Sequence, residues 1–180
     1  MKKGIVLLII LFNLIYFKSK TQTIYNFKIG GKFDEWHSVN DDVMGGISNG
    51  ELSLSNEGHG VFTGKISLEN NGGFSSIRYN VKKLNLNKKK IIKLKIKGDG
   101  KRYQFRIKKN LFDYHSYITY FETNGNWEVI EINLNEMYPS FRGNKINKNL
   151  FDGNYISQIA ILYGNRKTEP FTLLIDKIYF

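Results

Sequence analysis

The sequence predicts an all-β chain folded as an antiparallel jelly-roll β-sandwich, and two observations carry that prediction. Apolar residues alternate with polar ones through most of the chain, and no run of a dozen residues holds a helical period. Glycines and asparagines that favour turns recur at short spacing between these runs, the pattern of a sandwich rather than of a parallel sheet.

The alternation places the elements one by one. Ile92, Leu94 and Ile96 alternate with Lys93, Lys95 and Lys97. After Gly98-Asp99-Gly100, Tyr103, Phe105 and Ile107 alternate with Arg102, Gln104, Arg106 and Lys108. With a strong turn signal between them, these two runs are predicted to form a hairpin with a basic outer face. Ile118, Tyr120 and Phe121 predict a strand closed by Thr123-Asn124-Gly125-Asn126, and Trp127 opens another through Ile130, Ile132 and Leu134. Residues 156–163 and the alternation of Phe171, Leu173 and Ile175 supply strands near the C-terminus. Segments 52–54, 61–66 and 74–81 are shorter strand candidates.

Residues 1–21 are expected to be a secretory signal peptide. Lys2 and Lys3 precede an apolar run from Ile5 to Phe17 broken only by Asn13, a charged n-region followed by an h-region. A spanning helix needs about 20 apolar residues, and this run is shorter. Ser19-Lys20-Thr21 fits a cleavage site only loosely, so an uncleaved N-terminal anchor is the alternative. Either way the body of the protein is expected outside the cytoplasm, periplasmic or envelope-associated.

Composition narrows the class. The chain carries 27 Lys and Arg against 16 Asp and Glu, a formal +11. Residues 1–21 hold four lysines and no acid, so the remainder keeps 23 cations against 16 acids, or +7. Lys82-Lys83 and Lys88-Lys89-Lys90 concentrate part of the excess as a solvated face or as a contact for anionic lipid or a polyanion. No nucleic-acid-binding motif is present, and nucleic acid is not an expected partner. The absence of cysteine excludes disulfides, thiolate metal sites and Cys nucleophiles. Stability must therefore come from a core. Residues 22–180 are long enough for one, and 11 Tyr, 13 Phe and 2 Trp can fill it. With two prolines and no Ser/Pro-rich stretch there is no linker, and residues 22–180 read as one domain.

Signatures of chemistry are sparse. Gly58, Gly60 and Gly64 before Lys65 fit neither a P-loop nor a dinucleotide fingerprint. His37, His59 and His115 are far apart with no HxH or HExxH pair, and neither a metal nor a cofactor is expected. There is no nucleophile elbow. Asp41-Asp42 has the residue type for general acid–base work or Ca²⁺ ligation, or for capping turn N–H groups. Neighbouring residues on a strand face opposite sides, so the pair shares a site only if the chain turns there.

The most distinctive string is Asn40-Asp41-Asp42-Val43-Met44-Gly45-Gly46-Ile47-Ser48, just after Trp36. Further blocks follow in order: Phe62-Thr63-Gly64, then 68–78 with Asn70-Asn71-Gly72-Gly73-Phe74 and Arg78, then 97–103. Trp127, Phe141-Arg142-Gly143 and 171–178 complete the set. Over residues from about 24 to 180, the chain resembles the complex I intermediate-associated protein 30 family, whose domain is a galactose-binding-like β-sandwich. The resemblance implies a non-catalytic, chaperone-like binding module; the eukaryotic member helps assemble respiratory complex I. Here the domain stands behind an export signal in what looks like a bacterial protein, on the wrong side of the membrane for that task. Its expected partners are then respiratory-chain or other envelope proteins. A carbohydrate- or other ligand-binding module is the alternative, and a hydrolase using Asp41 or Asp42 a third.

Candidate contacts gathered at one end or face of the sandwich are Trp36, Asp41, Asp42, Met44, Asn70, Asn71, Phe74, Arg78, Tyr103 and Arg142. Gly45, Gly46, Ser48, Gly72, Gly73, Gly98, Asp99, Gly100, Trp127 and Gly143 are expected to be structural. A guanidinium fork matches carboxylate or phosphate, so Arg78 and Arg142 are the expected anion contacts. The competing expectation is that they pair internally with Asp41, Asp42 or Asp99. Trp36, Phe74 and Trp127 equally suit an ordinary core.

Overall fold

The computed structural model describes residues 22–180, and the segment read as signal or anchor lies outside the described residues. Two antiparallel sheets pack face to face. The first holds β1 (Thr23–Asn26), β3 (Asn49–Leu54), β4 (Gly60–Lys65), β6 (Ile91–Lys97), β9 (Trp127–Asn133) and β13 (Pro170–Tyr179). Its order is β3-β4-β13-β6-β9, with β1 paired to the end of β13. The second holds β2 (Trp36–Asn40), β5 (Ser75–Asn85), β7 (Arg102–Lys108), β8 (Ser116–Glu122), β10 (Tyr138–Phe141), β11 (Asn144–Lys145) and β12 (Tyr155–Tyr163). Its order is β11-β10-β8-β7-β12-β5-β2. Only β3–β4, β7–β8 and β10–β11 are neighbours in both sequence and sheet, and nearly every other connection crosses between sheets. That alternation is a jelly roll.

The predicted hairpin of residues 92–108 does not form. β6 pairs with β13 and β9, whereas β7 pairs with β12 and β8 in the other sheet. Gly98-Asp99-Gly100 is a crossover, not a hairpin turn. Asp99 fixes it: Oδ1 accepts from the Tyr103 hydroxyl at 3.0 Å, and Oδ2 accepts from the Thr172 amide at 3.0 Å and from Lys101 Nζ at 2.7 Å. A Cβ at Gly98 would overlap the Thr123 side chain, whose hydroxyl bonds the Lys101 carbonyl and receives the Gly100 amide.

Alternation fills the core from both sheets. Phe62 and Phe171 meet edge to face at 4.8 Å, and Phe171 stacks on Tyr163 across the sandwich at 4.6 Å. Tyr163 continues to Tyr103 at 5.0 Å and Tyr103 to Phe121 at 5.8 Å. Gly50 and Gly64 are opposite one another on β3 and β4: a Cβ at Gly50 would overlap the Ser75 side chain and stand 3.0 Å from the Phe171 ring, and one at Gly64 would overlap the Asn49 carbonyl. At the far end Trp36 stacks on Tyr79 at 5.2 Å, with Tyr25 and Phe27 against it.

The Asp-Asp-Val-Met string carries β2 over to β3 as a 3-10 turn, Asp41–Met44. Asp41 is 1% exposed, and main-chain amides use both of its oxygens. Oδ1 accepts from Ser48 N at 3.0 Å, and Oδ2 from Gly73 N at 2.6 Å and Phe74 N at 3.2 Å. A Cβ at Gly46 would overlap this carboxylate, and one at Gly72 would stand 2.7 Å from Oδ2. The Ser48 hydroxyl adds a pair of bonds to the Ser67 main chain at 3.0–3.1 Å. One carboxylate thus ties the β2–β3 crossover to the β4–β5 crossover.

Burial pushes the Asp41 pKa up, but the hydrogen bonds from Ser48, Gly73 and Phe74 outweigh it and hold the carboxyl below its ordinary value. A depressed native pKa stabilises the fold above the unfolded pKa, and that contribution disappears as pH falls through the native one. Asp41→Asn is expected to cost about 2–3 kcal/mol, the scale of charge-assisted hydrogen bonds, and to flatten the acid limb of stability measured by urea unfolding between pH 3 and 7. An unchanged midpoint and acid limb would remove Asp41 from this role. Gly98→Ala is expected to lower the thermal midpoint by overpacking against Thr123, at about 1–3 kcal/mol; calorimetry showing wild-type stability contradicts that.

Candidate functional site

The structure disperses the constellation expected from sequence. Trp36 and Tyr103 are 6% and 1% exposed; both are core side chains and neither offers a surface to a ligand. Asp41 is spent on main-chain amides, which removes it as a contact and as a general acid or base. Asp42 is exposed in the same turn, and the Met44 side chain lies outside the description. Asn70 and Asn71 are exposed at φ 53° and 62°, in the loop that wraps Asp41, and Phe74 beside them is half-buried. Gly45, Gly46, Ser48, Gly72 and Gly73 gather around that same carboxylate.

Arg142 and Gly143 have φ of 48° and 80° and form the two-residue turn between β10 and β11. Arg142 packs over the Phe141 ring at 5.3 Å. Arg78 is on β5, four strands from β10, or roughly 19 Å at the usual strand spacing. The two arginines therefore do not share a site. Nor do they form the internal ion network: none of the ion pairs among the described residues involves Arg78 or Arg142. Trp127 is not core either. It is 39% exposed on the outer face of the six-stranded sheet, against the His59 ring at 4.6 Å.

The arrangement with chemical content is the outer face of the seven-stranded sheet. Register sets its rows, because side chains two apart on a strand share a face. Across the middle run His37, Arg78, Ala160, Arg106, Ile118 and Tyr138, one from each of β2, β5, β12, β7, β8 and β10. The row toward Asp41 holds Ser76, Leu162, Gln104 and Tyr120, and the opposite row holds Asn80, Gln158 and Lys108. Several of these groups are held in place. Gln158 Nε2 donates to Asn80 Oδ1 at 2.8 Å, and Arg106 Nη1 donates to Gln104 Oε1 at 3.0 Å. Arg102 covers the Tyr120 ring at 4.6 Å, and Lys108 Nζ reaches the Asp113 carbonyl at 2.6 Å.

The field over this face is positive. Burial first, and then the charge of Arg78, push the Arg106 guanidinium down to about 10. The same two causes, in the same order, lower His37 and Lys108, and burial lowers Arg78 itself. Among the described residues no group of three His, Cys, Asp or Glu side chains is placed to hold a metal ion. The sequence showed the alternation of Arg102, Gln104, Arg106 and Lys108 as a basic face. It did not show that His37, Arg78, Asn80 and Gln158 join it, because only sheet order brings those strands together.

No curated protein sequence matches the chain significantly. The fold is similar to a family 11 carbohydrate-binding module from Clostridium thermocellum in complex with a beta-1,3-1,4-mixed-linked tetrasaccharide, with TM-score 0.65 and 16% identity over 88% of this chain and 94% of that one. It is also similar to the family 11 module of the cellulosomal cellulase Lic26A-Cel5E of Clostridium thermocellum, with TM-score 0.63 and 17% identity over 88% and 92%. An agarase shares the fold at TM-score 0.57 and 12% identity, over 87% of this chain and 26% of the other. These likenesses establish a galactose-binding-like β-sandwich. The sequence profile of complex I intermediate-associated protein 30 matches residues 25–175, and the chain belongs to that family.

Proposed function

We propose that this protein is a non-catalytic binding module of the cell envelope that lays a saccharide chain across the outer face of its seven-stranded sheet. The observation that carries this reading is the polar, pre-oriented character of that face. Its planar amides and guanidiniums are fixed by the Gln158–Asn80 and Arg106–Gln104 bonds, so little rotamer freedom is lost on binding. Sugar hydroxyls take such donor–acceptor pairs, and the exposed Tyr120 and half-buried Tyr138 add aromatic surface beside them, with Arg102 over the Tyr120 ring and Lys145 over the Tyr138 ring. The likeness of the fold to family 11 carbohydrate-binding modules supports the class of ligand. Export, read from the apolar N-terminal segment, supplies a compartment in which polysaccharide is met.

A second reading, assembly by protein contact, is favoured by a different observation. Leu111, Phe112, Tyr114, Phe141 and Leu150 are exposed at the end of the sheet away from Asp41, with Phe112 95% exposed and Tyr114 against Phe141 at 5.2 Å. Exposed apolar clusters of this kind mark contact surfaces.

Two measurements separate these readings. Affinity electrophoresis against a panel of soluble polysaccharides should show retardation by at least one, reduced about tenfold or more in Tyr120→Ala/Gln158→Ala at unchanged melting temperature; no retardation by any polymer refutes the saccharide reading. For the assembly reading, quantitative pull-down from envelope extracts should enrich respiratory-chain subunits with the wild type and not with Phe112→Ser/Tyr114→Ser. Equal recovery with both proteins counts against it.

A further inference from the structure

We infer that the ligand is an acidic polysaccharide, one of whose carboxylates seats over Ala160 between Arg78 and Arg106. This rests on the reading of that sheet face as the saccharide face and adds the charge of the sugar. Ala160 on β12 is in register with Arg78 of β5 on one side and with Arg106 of β7 on the other. Two guanidiniums therefore flank one methyl group, on strands about 10 Å apart, a gap that one carboxylated sugar spans. Ala160 is 4% exposed although it faces away from the core, so its longer neighbours overhang it.

Neither arginine is spent within the protein. None of the ion pairs or cation–ring contacts among the described residues takes Arg78 or Arg106, and the only side-chain hydrogen bond of Arg106 among them is to the neutral Gln104. The nearby acids have other work. Asp113, which acts on Lys108, accepts the Asn110 amide; Asp99 holds Lys101, Tyr103 and Thr172, Asp152 pairs with Lys109, and Glu122 lies opposite Arg102, four residues along β7 from Arg106. Partly buried like charges with no acid between them repel, and an anion arriving between them relieves that repulsion. A planar carboxylate matches the guanidinium fork, which a neutral hydroxyl does not.

The test uses polygalacturonate, its fully methyl-esterified form and neutral mixed-linked glucan, with affinities measured by titration calorimetry. Wild-type protein should bind polygalacturonate about tenfold or more tightly than the methyl ester, and Arg78→Gln should remove most of that difference. Lys83→Gln, which loses one charge as Arg78→Gln does and lies five residues further along β5 with its ammonium over the Tyr155 ring, should keep it. Arg106→Lys, checked for an unchanged melting temperature, should weaken polygalacturonate binding while retaining charge, since an ammonium lacks the fork. Equal affinity for polygalacturonate and its ester overturns the acidic assignment and leaves the saccharide face standing. An equal loss in the lysine variant and in Arg78→Gln reduces the preference to bulk charge and overturns the Ala160 seat. Binding of none of the three polymers overturns the inference together with the reading beneath it.

Discussion

A single buried carboxylate organises the fold. Asp41 accepts amides from both the β2–β3 and the β4–β5 crossovers, and each of those crossovers carries the chain from one sheet to the other. An ionised group this deeply buried is tolerable only when its oxygens are saturated, and here saturation requires two loops to close on it at once. The glycines follow from that demand. Gly46 and Gly72 approach the carboxylate so closely that a side chain at either would displace it. The strings that look like punctuation in the sequence are thus the walls of one binding site for an internal anion.

The same economy shapes the outer face. Asp99 repeats the arrangement of Asp41 at the β6–β7 crossover, taking a hydroxyl, an amide and an ammonium. Asp41 and Asp99 are taken up in crossovers, and none of the ion pairs among the described residues reaches Arg78 or Arg106 of the seven-stranded sheet. Arg78 and Arg106 then face solvent across Ala160, and burial first, then the charge of Arg78, lowers His37 and Lys108 as well. The positive surplus of the chain has structural consequences at that face, whereas Lys83 and Lys89 of the sequence-evident basic runs lie over the Tyr155 and Phe180 rings.

The sandwich was legible because burial on one face imposes a period of two on every strand, and that period survives in the sequence. Pairing was less legible. Gly98-Asp99-Gly100 has the composition of a hairpin turn, yet Gly98 is small for the sake of Thr123, and Asp99 reaches Thr172 on a strand more than seventy residues away. Local composition does not distinguish a chain that turns back from one that crosses. The candidate site failed for a related reason. Asp41 and Arg78 both stand in distinctive blocks, but one points into a crossover and the other out of a sheet. Trp127 stands exposed beside His59 because its register with Lys97 turns it out of the six-stranded sheet, away from the other layer.

Family membership and ligand face consequently draw on different residues. The blocks that identify the family include Asp41, Gly46, Gly72 and Asp99, and these residues contact the protein's own groups: main-chain amides, the Tyr103 hydroxyl, the Lys101 ammonium and the Asp41 carboxylate itself. The proposed ligand face takes one to three residues from each of β2, β5, β12, β7, β8 and β10, at a period of two and without any contiguous string. Two proteins sharing the first set would share crossovers and sheet order, and so would present the same six-strand row. What they bind would still depend on the side chains in that row. Here the row centres on Ala160 between two guanidiniums, and a larger residue at that position would fill the space an anion needs while leaving every crossover intact.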